Sequence, residues 1–195
     1  MARSFLRWKK LCPYGRMRQN TSSENEIGED ETYMEHKMDF RFAERQDTAL
    51  ILQFIRELAD YEKMLDQVEA TEELLEEWIF EKRKAEVIFV LEDGIEAGFA
   101  LFFHNFSTFL GRAGIYLEDL YVRPEYRKKG YGKALIRKLA GIARERGCGR
   151  LEWWCLDWNQ PSIEFYLSLG AEPMKDWTVY RIAGDTLEKL AGEGD

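Results

Sequence analysis

Histidine and cysteine are scarce: the chain of 195 residues holds two histidines (His36, His104) and three cysteines (Cys12, Cys148, Cys155). An odd thiol count, with no CxxC pair and no histidine cluster, argues against a disulfide framework and against a thiolate–imidazole zinc site. No run approaches the roughly 18 apolar residues of a membrane span. The basic start MARSFLRWKKLCPYGRMRQN is broken too often by Arg and Lys to hold the roughly 7–15-residue apolar stretch of a secretory signal. A cytoplasmic protein without a membrane partner is the expectation. A basic body is missing too. Residues 1–37 are net +1, and the total of −8 leaves −9 for residues 38–195. An acidic body argues against a nucleic-acid partner. It suits a cationic small molecule, or only solubility.

Hydrophobic residues make up 45% of the chain and aromatics 14%, enough for a buried core. Residues 1–37 lack apolar periodicity and pass from a basic block into NTSSENEIGEDE. They read as a disordered or loosely attached extension, or as sequence upstream of a true start at Met34 or Met38. From residue 38 to 195 the pattern is that of one domain. Met38–Phe42 reads as a strand, and Asp47 as N-cap of a helix with Leu50, Ile51, Phe54, Ile55 and Leu58 on its apolar face. Glu72 and Glu73 open a second helix through Trp78. Val87–Leu91 and Ile95–Phe103 flank Asp93-Gly94, a hairpin turn of the type that needs positive φ. Ile115–Val122 reads as a central strand, followed by a helix from Tyr131 to Arg146. Leu151–Leu156 is a further strand, Asn159 caps a short helix, Val179–Ile182 is a late strand, and Asp185–Glu188 resembles a capping box. The order β-α-α-β-β-β-α-β-α-β, with a last helix, predicts an α+β fold: a mixed sheet flanked by helices.

Between central strand and helix runs Arg127-Lys-Lys-Gly-Tyr-Gly-Lys133. Glycines let backbone N–H groups approach phosphate oxygens, and a helix N-terminus adds partial positive charge. A Walker A loop would need Gly at Arg127 and Ser or Thr at Ala134, and a GxGxxG fingerprint would need Gly at Leu135. Both fail, leaving the pattern [R/Q]-x-x-G-x-[G/A]. Downstream stands Trp158-Asn-Gln-Pro-Ser-Ile-Glu-Phe-Tyr166-Leu-Ser-Leu-Gly-Ala171. Together the two blocks resemble the pyrophosphate loop and the thioester-facing motif of the GNAT acetyltransferase superfamily. The runs Arg56–Glu62, Tyr116–Asp119 and Trp158–Tyr166 narrow the resemblance to the branch of spermidine/spermine and thialysine N-acetyltransferases, over roughly residues 38–192.

The resemblance implies acetyl-CoA as cofactor, a small cationic amine as acceptor, and a homodimer. It assigns Arg127, Lys128, Lys129, Gly130, Tyr131, Gly132 and Lys133 to the phosphates. The backbone of Leu120, Tyr121 and Val122 falls to the pantetheine arm, together with Asn159 and Ser162, and the Leu120 N–H to the oxyanion. An alkylammonium, with a pKa of about 10.4 in a lysine-like amine, must lose a proton before it can attack a thioester. Glu118 is the expected base, acting through a water, and Tyr166 the expected acid for the departing thiolate. Tyr61, Glu62, Glu118, Asp119 and Asp176 are the expected acceptor contacts. Ser107 or Thr108 stands where the polyamine enzymes carry an acidic residue, which favours a short diamine or a lysine-like amine over a long polyamine. Two other readings stay open: acetylation of a protein lysine or N-terminus, and a non-catalytic acyl-CoA sensor. Cys155 reads as an inert buried thiol, His104 as a strand residue, and Trp153, Trp154 and Trp158 as packing.

Overall fold

A computed structural model describes residues 36–192. The N-terminal extension therefore lies outside the described residues, apart from His36 and Lys37. Five strands form one sheet in the order β1-β2-β3-β4-β5: β1 Met38–Phe42, β2 Glu86–Glu92, β3 Ile95–Ser107, β4 Arg112–Val122 and β5 Leu151–Trp153. The first four are antiparallel neighbours, and β5 joins β4 in parallel. This is the mixed sheet of an α+β fold, as the element order predicts.

Both faces of the sheet are covered, which is why β2 reads as an almost unbroken apolar run rather than an alternating one. On one face Ile88, Val90, Ala100, Phe102, Ile115 and Leu117 pack against Leu135, Leu139 and Ile142 of α3 (Tyr131–Glu145). On the other, Val87, Phe89, Phe99 and Tyr121 pack against Ile51 and Phe54 of α1 (Thr48–Tyr61). The Phe54 ring stacks on Phe99 at 5.1 Å between centroids and tilts over Phe89 at 5.9 Å. Residues alternate between these layers along β2, as a pleated strand requires.

Several local details depart from the sequence reading. Asp47 precedes α1 but makes no capping bond to it. Its carboxylate instead takes two bonds from the Arg41 guanidinium, at 2.6 and 2.8 Å, and one from the Glu44 N–H at 2.7 Å. α2 (Glu72–Leu75), capped by Thr71, widens into a π-helical turn over Glu76–Glu81. β5 stops at Trp153 instead of reaching Leu156. α4 (Gln160–Ser168) does carry the expected Asn159 cap. Val179–Ile182 is not a strand: Tyr180 is 91% exposed, and among the described residues no sheet edge pairs with the segment. A strand needs a hydrogen-bonding neighbour, and β propensity alone does not supply one. The closing α5 (Asp185–Gly192) has Asp185 inside it, with the Gly184 carbonyl accepting from Leu187 and Glu188.

Two irregularities position the site. β3 and β4 lose register between Leu101 and Phe102, so that Leu101 faces Asp119 while Phe102 faces Leu117. Glu118 is the extra residue of a β-bulge. Strict alternation would keep Leu117 and Tyr121 on one face. The bulge puts Leu117 in the α3 layer and Tyr121 in the α1 layer. The second irregularity is the short β5. Its pairing with β4 runs from Ile115–Leu151 to Leu117–Trp153 and stops there, so β4 runs on to Val122 with no strand beside it on that side among the described residues. Beyond the bulge β3 and β4 approach closely, since a Cβ on Gly98 would sit 2.5 Å from the Tyr121 carbonyl oxygen.

Candidate active site

The notch left by β5 is bordered by three elements. β4 supplies Glu118 to Val122, the C-terminus of α1 supplies Tyr61 and Glu62, the start of α4 supplies Asn159, and α4 itself supplies Tyr166. Helix α1 ends at Tyr61 with Lys63 in the left-handed region (φ 62°), a conformation that usually falls to glycine. Arg123 ties α1 to the end of β4. Its guanidinium bonds both Glu57 oxygens, lies 4.4 Å over the Phe54 ring, and donates to the Glu96 carbonyl at 3.2 Å.

Charge in the notch is unevenly distributed. Glu118, on the bulge, is exposed. Asp119 beside it is mostly buried, and burial pushes its carboxyl up to about 7, with the negative charges of Glu118 and Glu62 adding to the rise. Burial also raises Glu62. The Tyr166 phenol is driven upward by burial and then by Cys155, Glu62 and Tyr61. Its ring packs on Trp153 at 4.9 Å and on Phe165 at 5.2 Å. Desolvated carboxylates beside a phenol that holds its proton form a pair of opposite proton affinities, the arrangement acid–base chemistry needs.

Asn159 is buried, and its Oδ1 accepts from the Tyr61 hydroxyl at 3.1 Å and from the Ser162 N–H at 3.4 Å. One oxygen of Asn159 thus caps α4 and receives Tyr61 from the end of α1. Asp176 falls on the exposed segment after α4 and takes no part in this cluster's bonds or charge couplings. Ser107 is buried and accepts from the Leu110 N–H within its own turn. Cys155 is a half-buried free thiol, in keeping with the inert reading, and it lies beside Tyr166. Its thiol, raised by burial and by Glu62 and Asp157, sits close enough to Tyr166 to shift the phenol. An apolar-strand reading could not have found that, because β5 ends two residues earlier.

The glycine loop opens α3 through Gly130, at φ 93°, with nothing within 4 Å of where a Cβ would stand. Lys128 is also left-handed (φ 64°), a conformation that costs a non-glycine residue about 1 kcal/mol and that gathers at functional loops. The loop's cations are not equivalent. Lys129 Nζ donates to both oxygens of the buried Glu92 carboxylate (2.8 and 3.0 Å), and the Tyr131 hydroxyl donates to the same carboxylate. These partners hold Glu92 below the usual carboxylate range. Arg127 turns back, its Nε donating to the Val122 carbonyl at 2.8 Å. Lys128 and Lys133 carry no ion pair among the described residues. The geometry fits a phosphate-bearing ligand: a glycine at positive φ, a helix N-terminus and two lysines without an acidic partner. Glu92 was invisible in the sequence, where it is one more acid beside a hairpin turn.

Among the described residues no helix is long and apolar enough to cross a membrane, and no group of three or more His, Cys, Asp or Glu is placed to hold a metal ion.

Comparison with known proteins matches residues 51–171 to the Acetyltransferase (GNAT) family. The chain is 38% identical over 165 residues to the thialysine N-epsilon-acetyltransferase of Bos taurus, covering 78% of this chain and 96% of that protein. It is 44% identical over 100 residues to the L-ornithine N5-acetyltransferase of Arabidopsis thaliana, covering 51% of this chain and 44% of that protein. Among solved structures, an integron cassette protein from the mobile metagenome of V. cholerae superposes with a TM-score of 0.68 at 29% identity, covering 80% of this chain and 98% of that one.

Proposed function

This chain belongs to the GNAT acetyltransferase family, and from that premise we propose that it moves an acetyl group from acetyl-CoA to the primary amine of a small, cationic, lysine-like acceptor. The observation that carries the reading is the notch itself: a buried Asp119 with a carboxyl near 7, beside Glu62, opposite a phenol that keeps its proton. Acidic, desolvated walls favour a compact ammonium over a neutral acceptor. The relatives named for thialysine and ornithine acetylation favour an amino-acid-like amine over a long polyamine, in line with the neutral turn at Ser107–Thr108.

Acetyl-CoA would supply the activated acetyl thioester. The chain would hold it through the loop from Lys128 to Lys133, the backbone of Leu120–Val122 where β4 lacks a neighbour, and Asn159 with Ser162 at the head of α4; Arg127, turned back onto the Val122 carbonyl, would not reach the phosphates. We assign the amine's proton to Asp119. Glu118, the base expected from sequence, then acts through its charge, which helps to hold Asp119 near neutrality. A group with a pKa close to the working pH is the more effective base. Tyr166 would supply a proton to the departing thiolate, and the Leu120 N–H would serve as donor to the oxyanion. Glu62 and Tyr61 receive the acceptor.

Met174, Trp177, Val179, Tyr180 and Ile182 are exposed on the segment after α4, and β5 leaves an open sheet edge. Both features support a homodimer that covers these apolar groups. The acetyltransferase domain would run over 38–195, with 1–37 outside it.

Thiol release from acetyl-CoA, measured against thialysine, ornithine, lysine, putrescine, spermidine and a lysine-containing peptide, tests the assignment. Faster turnover of the amino-acid amines is expected. Turnover confined to the peptide would transfer the assignment to protein acetylation. For the loop, Glu92→Ala is expected to raise KM for acetyl-CoA about tenfold and leave kcat within about twofold, since losing the charge-assisted bonds from Lys129 and Tyr131 disorders the phosphate cradle. An unchanged KM in steady-state kinetics would show that the loop keeps its shape without this carboxylate.

A further inference from the structure

The loop arginine does not point where the loop's assignment to phosphate would send it. The Arg127 guanidinium lies 4.9 Å from the centre of the Tyr61 ring and 5.4 Å from that of Tyr121, while its Nε is bonded to the Val122 carbonyl. Tyr61 in turn donates to Asn159, and Asn159 caps α4, the helix that carries Tyr166. The Tyr61 ring also leans on Trp158, 6.3 Å between centroids. One continuous strap thus crosses the notch, from the phosphate loop through the end of α1 to the start of α4.

We infer that Arg127 is a positioning residue for the acceptor side: its cation holds the Tyr61 ring, and Tyr61 holds Asn159, so that the amine pocket keeps its shape. The inference rests on the acetyltransferase reading and deepens it, since it joins the two substrate sites through one side chain. The formal charge left for the cofactor's phosphates then comes from Lys128 and Lys133, because Lys129 is paired with Glu92. A guanidinium is suited to this double task. Its planar face lies against aromatic rings while an edge N–H donates in plane, which the point charge of a lysine cannot do.

Arg127→Gln separates the two tasks, because an amide keeps a donor for the Val122 carbonyl and loses the cation over the rings. With thialysine as probe, the variant is expected to raise KM for the amine about three- to fivefold, the size of a cation–π contact near the surface. The Kd of CoA, titrated calorimetrically on the protein alone, is expected to stay within about twofold. Tyr61→Leu should raise the KM at least as far, since it also removes an acceptor contact, and the double variant should be no worse than Tyr61→Leu alone, because Arg127 acts on the acceptor only through Tyr61. A rise confined to the CoA Kd, or additive effects in the double variant, would overturn the inference. Absence of wild-type turnover with any amine of the panel would remove the acceptor reading instead. In that event the strap is read directly from the Asn159 side-chain amide in a ¹⁵N spectrum. That resonance shifts in Arg127→Gln if the strap carries and stays put if it does not.

Discussion

Asp119→Asn is expected to cost at least ~100-fold in kcat/KM with the amine acceptor while making the folded protein harder to unfold above neutral pH. The loss follows from removing the proton acceptor, a contribution that typically amounts to about 10²–10⁴. The gain follows from linkage. The carboxyl stands at about 7 in the fold against an ordinary 3.8. An acid whose folded value is raised binds its proton more tightly when folded. Its favourable contribution is complete below the unfolded value and is lost as pH rises from about 4 through about 7. At pH 8 the native protein bears the full cost of a buried, ionised carboxylate. At about 1.4 kcal/mol per unit, that cost is bounded at roughly 4 kcal/mol. Asparagine removes the charge, so thermal unfolding at pH 8 should shift upward by several degrees, and the difference from wild type should vanish near pH 4. The kcat/KM profile of the wild type should show an inflection near 7. Glu118→Gln should keep activity and move that inflection to lower pH, because the Glu118 charge is the second contribution to the rise after burial. The reverse pattern, a dead Glu118→Gln and a working Asp119→Asn, would return the proton to Glu118.

That choice between two adjacent acids could not be read from the sequence, and the reason is the bulge. Period-2 alternation places every second residue of Ile115–Val122 on one face. One extra residue at Glu118 reverses the phase for everything after it, and no residue type in Leu117-Glu-Asp-Leu announces the insertion. Elements whose signal is local and repetitive were legible: α1 and α3 from their apolar faces, the Asp93-Gly94 turn (φ 52° and 86°) from its dipeptide, and the Asn159 cap from its place before Pro161. Elements that depend on a distant neighbour were not. Val179–Ile182 has the residues of a strand but nothing among the described residues to pair with, and Trp154–Leu156 leaves the sheet because β4 and the following chain diverge. The site divides in the same way. The phosphate loop is contiguous, so its pattern shows in the string. Glu92 reaches Lys129 and Tyr131 from another hairpin, and Cys155 reaches Tyr166 from a strand end, so neither could be anticipated.

Tyr166→Phe carries the other large effect. Its phenol is pushed well above the ordinary tyrosine value, first by burial and then by Cys155, Glu62 and Tyr61, so it holds its proton throughout the pH range in which Asp119 loses one. A donor of that kind serves a leaving thiolate, and it cannot double as the base. Removing one oxygen leaves the ring against Trp153 and Phe165, so the packing of α4 should survive and the unfolding midpoint should change little. Turnover with the amine is expected to fall by ~100-fold or more, the range of a lost general acid, while CoA affinity stays near wild type. The loss should fall on kcat rather than on either KM, as expected for a contact made only in the transition state. A decisive check replaces the donor's leaving group. An acetyl donor whose thiolate is a weaker base than that of CoA needs less protonation, so the gap between wild type and Tyr166→Phe should narrow with it. An equal loss with both donors would assign Tyr166 to shaping the notch, and the thiolate would then leave without help from this phenol.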